Sequence, residues 1–138
     1  MLKTHQLERE IKNCIYDVLP GVNMERFKFS VGTDNSPEGI YIYSQDGAYH
    51  WIFTERGKVR DHKILNSEED VLWYVLDEIL FDIALDFAEK NMIKGEDFRR
   101  QLFKKEIELY SKFGDFFKKR KIAEIEKILK SDPYRDTL

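Results

Sequence analysis

Apolar residues recur every three to four positions at Leu7, Ile11, Cys14, Ile15, Val18 and Leu19, which predicts an amphipathic helix over Thr4 to Leu19. Pro20-Gly21 stops it. The period then falls to two. Phe27, Phe29 and Val31 alternate with Arg26, Lys28 and Ser30, the pattern of a first strand, and Gly32 to Pro37 is a loop. Residues 40–45 and 48–54 are β-branched and aromatic runs either side of Asp46-Gly47, a pair suited to the positive φ angles of a type I′ hairpin. Gly57 marks a further turn before a fourth strand from Val59 to Leu65. These four strands read as an antiparallel meander.

The hairpin sets a register. Tyr49 falls opposite Ser44, Trp51 opposite Ile42 and Phe53 opposite Ile40, and these six share one face, the better candidate for the core. Tyr41, Tyr43, His50 and Ile52 share the other. That second face is aromatic too, so either the N-terminal helix covers it or it is a docking surface. By the same counting, a two-residue turn at Gly57 puts His62 opposite Trp51, pointing away from His50.

From Ser67 the chain turns helical. Val71 to Ala88 is apolar on nearly every side, crossed by a narrow line of carboxylates, so this helix should form the spine of the core, wrapped by the sheet on one flank and by cationic helices on another. Ser67 is placed to cap it, with Asp70 three residues on. After a break at Asn91 to Gly95, Phe98, Leu102, Leu109 and Phe113 mark a second long helix, which Gly114 bends or ends. The pattern continues to about Lys130, where Asp132-Pro133 closes it. The expected architecture is α+β, a single domain over residues 1–138. It comprises an N-terminal helix, a four-stranded antiparallel meander and two to three long C-terminal helices.

An apolar content of 42% with 14% aromatics excludes disorder. The apolar spine is broken by Asp77, Glu78, Asp82 and Asp86, too often for a membrane span, and the N-terminus lacks the apolar stretch of a signal peptide. The lone Cys14 has no internal disulfide partner. A cytoplasmic protein is expected. The net charge of −3 is mild but unevenly spread. Glu68 to Asp97 carries ten acids against Lys90 and Lys94, whereas Arg99 to Lys130 carries eleven basic residues against five acids. Packed helices would let these charges answer one another; the alternative is an acidic face kept for a basic partner.

Chemistry-bearing motifs are sparse. His5, His50 and His62 lack zinc-site spacing, and a structural role is expected of each. Glu78, Asp82 and Asp86 stand at i, i+4 and i+8 and form one carboxylate row. That row suits a salt-bridged seam with Arg99, Arg100, Lys104 and Lys105; alternatives are a cation site, an acid/base pair in a small enzyme, or a face that receives a basic partner. No nucleophile elbow or phosphate-binding glycine loop is present. Lys118 to Lys121 offers a weak nucleic-acid candidate, read first as a solvated helix face. No cofactor, metal or catalytic residue is assigned.

Tyr49-His50-Trp51-Ile52-Phe53-Thr54-Glu55-Arg56-Gly57 resembles a hallmark of the immunity protein 63 family of bacterial polymorphic toxin systems. So do Trp73-Tyr74, Asp97-Phe98-Arg99-Arg100-x-x-Phe103 and the closing Pro133-Tyr134-x-Asp136, in order between about Tyr41 and Asp136. The resemblance implies a non-catalytic cytoplasmic protein whose partner is a cognate toxin domain; the apolar pattern predicts no membrane partner, and the basic run leaves nucleic acid as the weaker alternative. On this reading the polar motif residues are structural. Glu55 and Arg56 would tie the meander to the helices, Arg99 and Arg100 would be buried and paired with Asp82 or Asp86, and Asp136 would pin the tail. Partner contacts would fall on Tyr41, Tyr43 and His50 or on Glu78, Asp82 and Asp86.

Overall fold

The computed structural model describes residues 1–137. Its elements are α1 (Thr4–Val18), β1 (Phe27–Lys28), β2 (Gly39–Gln45), β3 (Ala48–Glu55), β4 (Lys58–Leu65), α2 (Glu68–Lys90), α3 (Phe98–Ser111) and α4 (Asp115–Ser131). The chain divides into two compact units, Met1–Leu72 and the remainder from Trp73. The class is α+β, with three helices after the sheet. No helix is long and apolar enough to cross a membrane.

In the first unit the strand order is β1-β2-β3-β4. The β2–β3 hairpin has the expected register, with Ser44 opposite Tyr49, Ile42 opposite Trp51 and Ile40 opposite Phe53. Asp46 and Gly47 take φ of 53° and 73°, as a type I′ turn requires. Tyr49, Trp51, Ile42 and Ile40 are buried. The start of α1 is tied to this strand pair. The Tyr49 hydroxyl accepts from the Leu2 N–H at 2.9 Å, and Thr4 Oγ1 accepts from the Ser44 N–H at 3.0 Å. Leu7, Ile11 and Ile15 form the buried stripe of α1.

Two expectations fail at β1. The strand is only Phe27–Lys28, and it pairs parallel to β2, with Phe27 opposite Ile40, so the sheet is mixed. Alternation in the sequence told of a strand but not of its direction. The loop that follows is not a tight turn but a strap that crosses the second face of the sheet before re-entering as β2. Its carbonyl at Pro37 accepts from both the Tyr41 and Thr54 hydroxyls, each at 2.8 Å. At the far side Asn35 N–H donates to Gly57 O at 3.0 Å, and Asp34 Oδ1 accepts from Val59 N–H at 2.8 Å. Gly32 lies so close to the Tyr41 ring that a Cβ there would sit 2.5 Å from it. The strap thus lies over the face that α1 was expected to cover, and Tyr41, Tyr43 and Ile52 are buried as a cluster with Val59.

The second correction concerns β4. Beyond the two-residue turn Arg56-Gly57, Thr54 pairs with Val59, but Phe53 pairs with Asp61, so Arg60 is an extra residue in a β-bulge. The bulge shifts the rest of β4 by one position. His62 therefore lies opposite Ile52, on the same face as His50, rather than opposite Trp51.

The second unit holds most of α2 with α3 and α4. Ser67 caps α2, its hydroxyl accepting from Asp70 N–H at 3.1 Å. Val71, Leu72, Trp73, Val75, Leu76, Ile79, Leu80, Ala84 and Ala88 are buried, as a helix apolar on most sides demands. Gly114 ends the α3 pattern rather than bending it. With φ of 108° it stands at the N-cap of α4, and the short connection folds α4 back against α3. Within this unit Trp73 packs on Tyr110 (centroids 5.0 Å apart) and stacks on Phe117 (6.5 Å), with the Arg120 guanidinium 4.3 Å over its ring.

Candidate functional site

Three polar constellations emerge from these elements. The first is the pair that the bulge creates. His50 Nε2 lies 3.1 Å from the Gln45 carbonyl, and His50 Nδ1 lies 2.9 Å from His62 Nε2. A carbonyl only accepts, so neutral His50 carries its proton on Nε2 and receives the His62 Nε2–H at Nδ1. The ring centroids are 5.2 Å apart, the separation of two imidazoles pointing head-on. An N–H facing a lone pair head-on makes a hydrogen bond, and two ring nitrogens so placed do not converge on a common ion. His50 is also stacked on Tyr43 at 4.9 Å. Tyr41 and Tyr43 are buried, and burial raises the Tyr43 hydroxyl pKa.

The second is a clasp on the tail. Asp97 caps α3 and chelates Arg99, accepting from its backbone N–H at 2.9 Å and from Nη2 at 2.9 Å, while its other contact is the Arg135 N–H at 2.7 Å. Arg99 spans back to the Asp132 and Pro133 carbonyls, both at 2.8 Å. Arg100 forks onto both carboxylate oxygens of Asp136, whose Oδ1 also accepts from Asp97 N–H at 2.7 Å. Tyr134 lies under the Arg100 guanidinium at 4.1 Å. The Arg99 hydrogen bonds hold the Asp97 carboxyl far below the usual carboxylate range, and Arg100 lowers Asp136 in the same way. Asp136 thus pins the tail, as expected. Arg99 and Arg100 are paired, but with Asp97, Asp132 and Asp136 instead of Asp82 or Asp86, and Arg100 is exposed. The reason is reach: Arg99 and Arg100 open α3, where the returning tail brings carboxylates to them.

The third constellation is one the sequence reading missed. Lys121 is read there as part of a solvated basic run, yet it is buried. Its ammonium meets Glu124 at 2.7 Å, Glu106 at 3.0 Å and Asp77 at 3.3 Å. Asp77 also accepts from the Tyr110 hydroxyl at 3.2 Å. Burial depresses the Lys121 pKa, but the bond to Glu124 and the charges of Glu106 and Asp77 outweigh it and hold the group protonated. Burial pushes the Glu106 carboxyl up despite Lys121, and burial beside Asp77 pushes the Tyr110 hydroxyl up strongly. The available signal was local: Lys121 and Glu124 sit at i, i+3 on an α4 face that also carries Phe117 and Ile125.

Above this network opens a cleft of about 290 Å³ between α2, α3 and α4. Leu102, Phe103 and Ile125 floor it, Phe81 and Ile128 stand at its edge, and Asp77, Glu78, Asp82, Glu106 and Glu124 line it with Lys121. Glu78 and Asp82 of the carboxylate row therefore reach the cleft, both exposed, whereas Asp86 pairs with Lys90 at 2.9 Å. Lys105, an expected seam partner, instead meets Glu108 at 3.0 Å and the face of Phe87 at 4.6 Å. Among the described residues no group of three or more His, Cys, Asp or Glu is arranged to hold a metal ion. Glu55 ends β3 and Arg56 opens the Arg56-Gly57 turn into β4. Arg56 is exposed with φ of 53°, and the Glu55 carbonyl accepts from Arg60 Nε at 3.2 Å, so the visible role of the pair is to shape the turn.

Fold and site together define a small α+β protein that spends its histidine pair, its clasp and its buried lysine on holding its own chain, and keeps one acidic cleft open. The chain belongs to the immunity protein 63 family, whose model matches residues 45–127, from the end of β2 into α4. The strap, α1 and the tail lie outside the matched stretch, which does include Asp97, Arg99 and Arg100 of the clasp. No curated protein and no solved structure matches the chain.

Proposed function

We propose that this protein is the immunity partner of a bacterial toxin: a non-catalytic cytoplasmic protein that binds a cognate toxin domain and blocks it. Membership of the immunity protein 63 family carries the reading. The distribution of polar groups supports it, since the best-organised ones serve the fold. The histidines bond to each other and to a backbone carbonyl, and the arginines bond to the tail. The basic run of α4 does not favour nucleic acid, because Lys121 is buried and Arg120 lies over Trp73.

The test is co-expression with the toxin domain encoded beside this gene. Rescue of growth, together with a stable one-to-one complex on size-exclusion chromatography, is the expected result. A neighbouring toxin that kills equally well in the presence of this protein, and that forms no complex with it, overturns the proposal.

A further inference from the structure

We infer that the free edge of β4 beyond the bulge, from Asp61 to Leu65, is the docking site for an extended strand of the partner, which joins the sheet beside β4. The inference rests on the toxin-binding reading and names the surface and the mode of binding. β4 is the last strand of the sheet, so one side of its backbone has no neighbouring strand. The ladder fixes which groups lie on that side. The two-residue turn Arg56-Gly57 makes Glu55 and Lys58 a hydrogen-bonded pair, and alternation then turns the Val59 N–H outward. Asp34 of the strap meets it there, at 2.8 Å. Along β3 the backbone of Phe53, Trp51 and Tyr49 faces β4 as Glu55 does, so their partners Asp61, Lys63 and Leu65 face inward. The backbones of His62 and Ile64 therefore face outward, and their N–H and C=O groups have no partner among the described residues.

Natural proteins guard such edges with bulges, charged side chains and covering loops. The first half of β4 has all three: the bulge at Arg60, the exposed cations Lys58 and Arg60, and the strap at Val59. The second half has none of them. Ile64 is 63% exposed, an apolar side chain on an edge where charge is the usual guard. Lys63, the one lysine or arginine of that stretch, is held by Asp61 at 2.6 Å. A row of open donors and acceptors at strand spacing is completed by another extended backbone, whose main-chain bonds supply affinity while alternate side chains supply specificity. The flanking residues define those side chains. One is apolar, opposite Ile64. The other is a carboxylate at the end that reaches Arg60, whose Nε donates to the Glu55 carbonyl at 3.2 Å and whose charge has no carboxylate partner among the described residues.

The experiment follows amide hydrogen exchange by NMR in the full chain, alone and with the purified toxin domain, and measures affinities by surface plasmon resonance. Ile64→Pro deletes the outward N–H, a change that an edge strand tolerates because that N–H serves no ladder bond. Ile64→Lys keeps the N–H and places a charge on the edge. The control Met92→Lys makes the same apolar-to-lysine change at a 70% exposed position between α2 and α3. Circular dichroism confirms that each variant is folded; should Ile64→Pro fail to fold, Ile64→Lys and the exchange data decide. In the complex the His62 and Ile64 N–H groups should exchange about tenfold more slowly or better, and both Ile64 variants should bind about tenfold more weakly, the worth of one or two hydrogen bonds. Met92→Lys should bind like wild type. Toxin binding with exchange at His62 and Ile64 unchanged, with both Ile64 variants unimpaired, or with Met92→Lys equally impaired overturns the edge while leaving the immunity reading intact. The same protection in the chain alone, together with a dimer on size-exclusion chromatography, assigns the edge to a second copy and overturns the toxin strand. Failure of the wild-type chain to bind the toxin overturns both readings.

Discussion

Lys121 Nζ and Glu106 Oε2 lie 3.0 Å apart, and both side chains are only 4% exposed. Breaking such a pair from one side strands a buried charge, which costs on the order of 3–5 kcal/mol, whereas replacing both partners with apolar groups is often close to neutral. Lys121→Met should therefore lose about 3 kcal/mol in urea denaturation, and the double variant Lys121→Met/Glu106→Leu should recover most of it. Additive losses in the double variant would show that the two groups do not act as a pair.

The same site sets a pH dependence. Burial already raises the Glu106 pKa above its ordinary value, and without Lys121 it rises further. An acid with a raised folded pKa binds more protons folded than unfolded, so stability is full below the unfolded value and falls as pH climbs through the folded one. The Lys121→Met variant should accordingly be less destabilised at pH 5 than at pH 8, in paired melting curves.

The tail clasp runs the other way. Asp97 and Asp136 have depressed pKa values, so their contribution is complete above the ordinary aspartate range, near about pH 4, and is lost as pH falls below it. Asp136→Asn should lower the melting temperature at pH 7 and flatten the acid limb of the wild-type curve. Limited proteolysis should then cut the tail near Arg135 first. A wild-type acid limb retained in this variant would assign the acid lability elsewhere.

Strap closure depends on Gly32, where a Cβ would stand 2.5 Å from the Tyr41 ring. Gly32→Ala should cost roughly 1–3 kcal/mol through overpacking. It should also speed hydrogen exchange at Val59, whose N–H donates to Asp34 of the strap. Exchange at Val59 no faster than in wild type would mean that the strap is held without this close approach.

The bulge at Arg60 leaves a spectroscopic mark. Neutral His50 should appear in long-range nitrogen–proton spectra as the Nε2–H tautomer, because Gln45 O accepts from that nitrogen. His62→Ala removes the donor to Nδ1 and should shift the His50 Nδ1 resonance while leaving the tautomer in place. Finding the Nδ1–H tautomer in the wild-type protein would contradict the pairing.

Local chemistry alone determined much of this protein. Leu7, Ile11 and Ile15 declare α1, Asp46-Gly47 sets a hairpin register that holds along its whole length, Ser67 starts α2, and the family resemblance rests on short runs of residues that the family model then matched in part. In each case neighbours in sequence are neighbours in space, so spacing is enough. Tertiary structure decided the rest. One extra residue at Arg60 turned His62 toward His50, the strap closed over Tyr41, and the tail reached Arg99 and Arg100 before the carboxylate row did. A basic residue inside a basic run became the buried centre of three carboxylates on α2, α3 and α4. Most of these outcomes hang on long-range contacts, such as His50 with His62 and Lys121 with Asp77, the latter 44 positions apart. At that range periodicity is silent, because which side chains meet is set by how whole elements come together.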